Sequence, residues 1–191
     1  MKKRFFPLLV LLSAGGLQAE PEPAKEPAPV YVDEAPLPKG WPQPGPYDEV
    51  VEKKYPAYRA AFTGGKGETL AFWTLFAHIK RKDIPMTAPV EMGLDAEDKQ
   101  ASMAFLYQSD EVGNPGQDGN KVEVRDVPAA PALSYAWQGT DSKENIAKAK
   151  AALEASLGQR KVEPKGFRLL GYNGPGTPRA KRTWELQALL K

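Results

Sequence analysis

The chain has a single histidine, His78, and no cysteine. Any histidine-based triad or imidazole–metal bond must therefore use His78. Thiol chemistry, thiolate metal sites and a disulfide framework are excluded. The soft donors that remain are the thioethers of Met86, Met92 and Met103, although a buried methionine more often fills a gap than binds a ligand. Phe72, Trp73 and Phe76 lie within five positions. Aromatic faces at that density suit a flat ligand, through offset stacking and area burial, or else a core. Lys80, Arg81 and Lys82 form a basic run, with Arg59 elsewhere. Such cations are either solvated or paired with a ligand's carboxylates. There is no G-x-S-x-G sequence and no Cys/His cluster. Nucleophile–base sets are scarce with one histidine, so the chain reads as a non-enzyme. Thr63 to Thr69 looks like a phosphate loop but has Ala60 and Gly67 where that loop needs glycine and Ser/Thr. It reads as a turn.

The element that must position these groups runs through Ala71–Val90. Phe72, Leu75, Phe76 and Ile79 follow the i, i+3, i+4, i+7 spacing of an amphipathic helix, expected over residues 67–82. His78 lies about 120° from the centre of that stripe, beside the basic turn. That is the place of a rim histidine or of a ligand to something bound there. Pro85 and Pro89 forbid continuation of the helix, so Met86-Thr87-Ala88-Pro89-Val90 is extended. Thr87 and Pro89 are expected to shape an edge strand.

Phe72, Leu75, His78 and Ile79, followed by Ile84 and Met86-Thr87-Ala88-Pro89-Val90, resemble the SOUL haem-binding protein family, with both phrases at the family's separation. His78 stands where the family usually has tyrosine, and Arg81-Lys82-Asp83 replaces its glycine and asparagine. The resemblance covers Tyr47 to Lys191. It implies a binder of haem or a related tetrapyrrole or hydrophobic ligand, with haem as cofactor; together with the single histidine and the export signal described below, the expectation is a non-enzymatic, periplasmic binder. The residues expected to bind the ligand are Phe72, Trp73, Phe76, His78, Arg81, Lys82 and Met86. His78 is the candidate metal ligand, as axial donor or propionate partner. The alternative from another class is a protein- or peptide-interaction module with no cofactor.

The chain also repeats itself. Pro131 to Gly139 matches Pro56 to Gly64 at its proline, flanking alanines, aromatic and glycine, 75 positions on. Each block precedes a helix. The second, over 141–158, is expected to have Asp141 as N-cap, Glu144 three residues on, and a stop at Gly158. Strands are expected at 47–53, 57–63, 87–92 and 101–108, and again at 121–127, 131–138, 167–173 and 182–190. Between the halves, Asn114-Pro115-Gly116 and Asp118-Gly119-Asn120 read as a long turn. The expected fold is α+β: two pseudo-symmetric β-β-α-β-β repeats forming a mostly antiparallel eight-stranded sheet flanked by two helices. The resemblance implies that this sheet is curved or barrel-like.

The N-terminus reads as a signal peptide, residues 1–19. Lys2, Lys3 and Arg4 precede an apolar run, and Leu17-Gln18-Ala19 ends in a small residue. The run is too short to span a membrane, so no stable anchor is expected after cleavage. Removal takes three cations and no acid, leaving 23 Lys+Arg against 24 Asp+Glu. That balance gives no case for nucleic-acid binding. Residues 20–46, with nine prolines, read as a linker whose end Trp41 can pin to the domain at 47–191.

Overall fold

The computed structural model describes residues 30–64 and 67–191. The signal-like segment and residues 20–29 lie outside the described residues. The strands are β1 Val50–Tyr55, β2 Tyr58–Gly64, β3 Val90–Leu94, β4 Gln100–Leu106, β5 Gly116–Asp118, β6 Val122–Val127, β7 Ala130–Gln138, β8 Gly166–Gly171 and β9 Thr183–Leu189. The helices are α1 Glu68–Arg81 and α2 Lys143–Arg160. Among the described residues, nine strands join one sheet in the order β1-β7-β9-β8-β3-β4-β2-β6-β5, and every strand pair is antiparallel.

Three expectations are corrected here. The sheet is open, with β1 and β5 at its edges, and does not close into a barrel. The stretch read as a long turn contributes a ninth strand, because Gly119 (φ +68°) lets the chain fold back and pair β5 with β6. Pro89 also does not sit in an edge strand. It precedes β3, which lies between β8 and β4 inside the sheet. Ahead of the strand, its missing N–H removes no ladder bond.

α1 starts at Gly67 (φ +88°) and buries Ala71, Leu75, His78 and Ile79. In α2 the N-cap is Ser142, whose hydroxyl accepts from the Asn145 amide at 3.2 Å, rather than Asp141. Ser142 has the extended conformation in which a side-chain oxygen reaches the first-turn amides. α2 also runs past Gly158, which is exposed, and ends where Lys161 turns left-handed (φ 55°).

Strand side chains alternate, so each strand serves two faces. Met92, Met103, Phe105, Leu133, Leu169, Trp184 and Leu186 point to the face covered by the helices. Tyr55, Tyr58, Ala60, Leu106, Ala132 and Leu170 point to the other. Trp41 caps that second face, 6% exposed, with Tyr55 and Tyr58 rings at 4.8 and 5.2 Å and its indole N–H donating to Tyr172 at 3.3 Å. The described part of the proline-rich segment is thus packed along the domain and is not a free spacer. Its contacts repeat along its length: Lys39 N–H donates to Gln108 O at 2.8 Å and Asn173 donates to Val32 O at 2.7 Å. Extended backbone lacking local hydrogen bonds satisfies itself by bonding to the neighbouring loops.

Candidate functional site

A cleft of about 580 Å³ opens between α1 and the ends of β3, β4, β8 and β9. Its first wall follows from the helix stripe. Leu75 and Ile79 occupy the core, which leaves Phe72 and Phe76 half-buried on the flank and Trp73 58% exposed. Phe72 and Phe76 stack at 6.1 Å with 12° between planes, and Phe105 from β4 meets Phe72 edge-on at 5.1 Å. Trp73 stands edge-on to both, at 5.7 and 5.5 Å.

The floor is soft and apolar. Met92 and Met103 are cross-strand partners on β3 and β4, and half-buried Met86 joins them at the cleft. At the far side, Trp184 lies over Gly171. A Cβ on Gly171 would stand 2.9 Å from the indole, so only glycine permits this packing. The Trp184 N–H donates to Gly139 O at 3.2 Å, which fixes the ring.

Among the described residues, three charged groups border the cleft: Glu34, Glu68 and Arg182. Glu34 accepts from the Thr177 hydroxyl and from Gly174 N–H, and these bonds hold its pKa below the ordinary carboxylate value. Burial, aided by the charge of Asp141, pushes the Glu68 carboxyl up. The Arg182 guanidinium donates to Thr177 O at 2.9 Å and Pro175 O at 3.3 Å.

Of the residues singled out in the sequence, Phe72, Trp73, Phe76 and Met86 converge on the cleft; His78, Arg81 and Lys82 do not. His78 is a correction. Its ring is 2% exposed, with Nδ1 on the Asp118 carboxylate and Nε2 2.7 Å from the Tyr107 hydroxyl. Both nitrogens are engaged, so the imidazole joins α1 to β5 and to Tyr107, the residue after β4, and offers no lone pair to an iron. Arg81 pairs with the same Asp118 carboxylate. His78, first, and Arg81 together hold the Asp118 pKa down. Burial and the neighbouring Asp118 charge push the Tyr107 phenol up to about 12. Helical spacing hid this arrangement because β5, which supplies Asp118, read as a turn.

A second polar cluster was missed entirely. On the face away from the helices, Arg168 of β8 donates from Nη1 to Glu91 Oε2 at 2.9 Å and to Tyr58 OH at 2.8 Å, and from Nε to Gln187 at 2.7 Å. Glu185 of β9, 0% exposed, accepts from Tyr55 OH at 2.5 Å, Gln187 Nε2 at 2.5 Å and Lys53 at 2.7 Å. Burial drives both tyrosine pKa values far up, with Glu185 and Glu91 adding to it at Tyr55 and Tyr58 respectively. Glu91 and Arg168 each stand in alternation with apolar neighbours, as surface residues of a half-buried strand would. Only the second layer at Trp41 makes their face an interior.

Residues 47–188 match the family described as SOUL heme-binding protein. No curated protein matches the sequence. Among solved structures, an uncharacterized conserved protein from Listeria innocua is similar at 15% identity and a TM-score of 0.58, over 77% of this chain and 94% of that one. A hydrolase from Listeria innocua is similar at 15% identity and a TM-score of 0.56, over 77% and 94%. The C-terminal domain of EcmrR is similar at 14% identity and a TM-score of 0.55, over 75% and 97%. At such identities the likeness is one of fold.

Proposed function

The chain belongs to the SOUL heme-binding protein family, and from that premise we propose that it binds haem or a related planar hydrophobic ligand, without catalysis, in the α1 cleft. The observation that carries this reading is the cleft itself: about 580 Å³, walled by Phe72, Trp73 and Phe76 and floored by Met86, Met92 and Met103. That volume lies within the usual range of small-molecule sites, about 300–1,000 Å³. The half-buried aromatics would cover the ligand's face, and exposed Trp73 would close over it. Haem, when bound, supplies an iron that accepts a thioether, and the cleft's sulfurs are the side chains of that chemistry it offers. Among the described residues, Arg182 is its one cation toward a carboxylated edge, in place of the Arg81 and Lys82 expected earlier.

Two further readings belong to the proposal. Export to the periplasm rests on the pattern of residues 1–19. An internal repeat is supported by the strand order: with β5 set aside, exchanging β1–β4 for β6–β9 reverses the order and leaves it otherwise unchanged.

Titration of chain 20–191 with haemin tests the main reading. A sharp Soret band at one equivalent is expected. Trp73→Ala/Phe76→Ala should weaken binding by about tenfold or more, since each lost aromatic contact is worth about 0.5–1.5 kcal/mol beyond its area. A flat titration, or equal affinity in the double variant, would overturn it.

A further inference from the structure

The face away from the helices holds a second cavity, of about 310 Å³, with Arg168 in its wall. We propose that it is a binding site for a small amphiphile carrying one carboxylate, with the head group on Arg168 and the apolar body against Val127, Ala130 and Leu189.

The head-group site is built before any ligand arrives. Arg168 is 5% exposed, and Nε and Nη1 are committed to Gln187, Tyr58 and Glu91. Among the described residues the bonds of Arg168 come from Nε and Nη1, and none comes from Nη2. A guanidinium carries five N–H donors, so the two on Nη2 remain for an oxygen ligand. The rings of Tyr55, Trp41 and Tyr58 stand 5.2, 5.5 and 5.8 Å from its central carbon and hold the plane in one place. A charge fixed in this way loses little conformational freedom when it binds.

Charge selects the sign of the ligand. Arg125, Lys165 and Arg168 line the cavity against Glu91 and Asp126, a net charge of +1. Both acids are already engaged, Glu91 by Arg168 and Asp126 by Arg59 at 2.7 Å. On the cationic side Arg168 is paired with Glu91 and Arg125 lies 3.6 Å from Glu123. A monoanion is complementary to the net charge of the lining, and an ammonium head would carry the same sign as it. The remaining lining is apolar, and the volume is at the small end of ligand sites. That combination fits a medium-chain carboxylic acid. Nothing in the proposal depends on haem in the α1 cleft, which lies on another part of the fold.

Octanoate and octylammonium, titrated calorimetrically into chain 20–191, test it. Octanoate should bind and octylammonium should not. Arg125→Ala/Lys165→Ala, at exposed positions that do not endanger folding, should weaken octanoate binding about tenfold, a loss of about 1.4 kcal/mol. Ala130→Trp should abolish binding by filling the cavity. Trp73→Ala/Phe76→Ala and saturating haemin should leave it unchanged. The proposal is overturned if octanoate does not bind, if octylammonium binds as well, if the rim and filling variants bind normally, or if haemin displaces octanoate.

Discussion

Replacing Arg168 by methionine should be among the most damaging single changes in this protein. The side chains of Arg168 and Glu91 are 6% and 11% exposed and 2.9 Å apart. Removing the cation leaves Glu91 facing an interior with only the Tyr58 hydroxyl donating to it. It also strips a donor from Gln187. Breaking a buried pair from one side costs about 3–5 kcal/mol, because an uncompensated charge stays behind. Total stability of a domain is about 5–15 kcal/mol, so Arg168→Met should lose a large share of it. Glu91→Met should be similarly costly, since it strands the guanidinium. The double variant should cost much less than the two singles together, as no buried charge remains and the methionines can pack. Urea denaturation of the four proteins measures the cycle through midpoints at constant slope. A coupling of about 2 kcal/mol or more is expected. Additivity within about 0.5 kcal/mol would show that the two residues are independent, and would refute the account of this face as an interior held by a charge pair.

His78→Ala should lower stability by about 1–3 kcal/mol, because Asp118 and Tyr107 lose a buried partner, and should leave any haemin spectrum unchanged. A shifted Soret band would place His78 on the iron after all. The Asp118 pKa is depressed in the folded state, so its stabilisation is present above the unfolded value of 3.8 and lost as pH falls through the lower folded one. The stability deficit of Asp118→Asn relative to the parent, measured by urea midpoints from pH 7 to pH 3, should therefore narrow at the acid end; a constant deficit would refute this. Trp41→Ala should cost about 3–5 kcal/mol, the range for truncating a buried aromatic, and should release residues 30–46 to proteolysis. Loss below about 1 kcal/mol, with the segment still protected, would show that Trp41 does not anchor it.

Local pattern alone located both helices within a few residues, eight of nine strands and the aromatic trio of α1. These signals lie within one element: a 3.6-residue stripe, a period of two, a proline that cannot continue a helix. The family phrase from Phe72 to Val90 was legible for the same reason. Three things waited for the tertiary structure. His78 looked like a flank residue because helical spacing measures distance from one stripe, whereas burial depends on what packs against the flank, here Tyr107 and the Asp118 strand. The basic run at residues 80–82 sits close to the aromatics in sequence, but the end of α1 carries it away from the cleft. The charged residues of β3, β8 and β9 carried no signal in the sequence, because their burial depends on Tyr31, Ala35, Leu37 and Trp41 packing on that sheet face. A strand's alternation states that it has two different faces, and only the contacts of distant segments decide whether the polar one meets water.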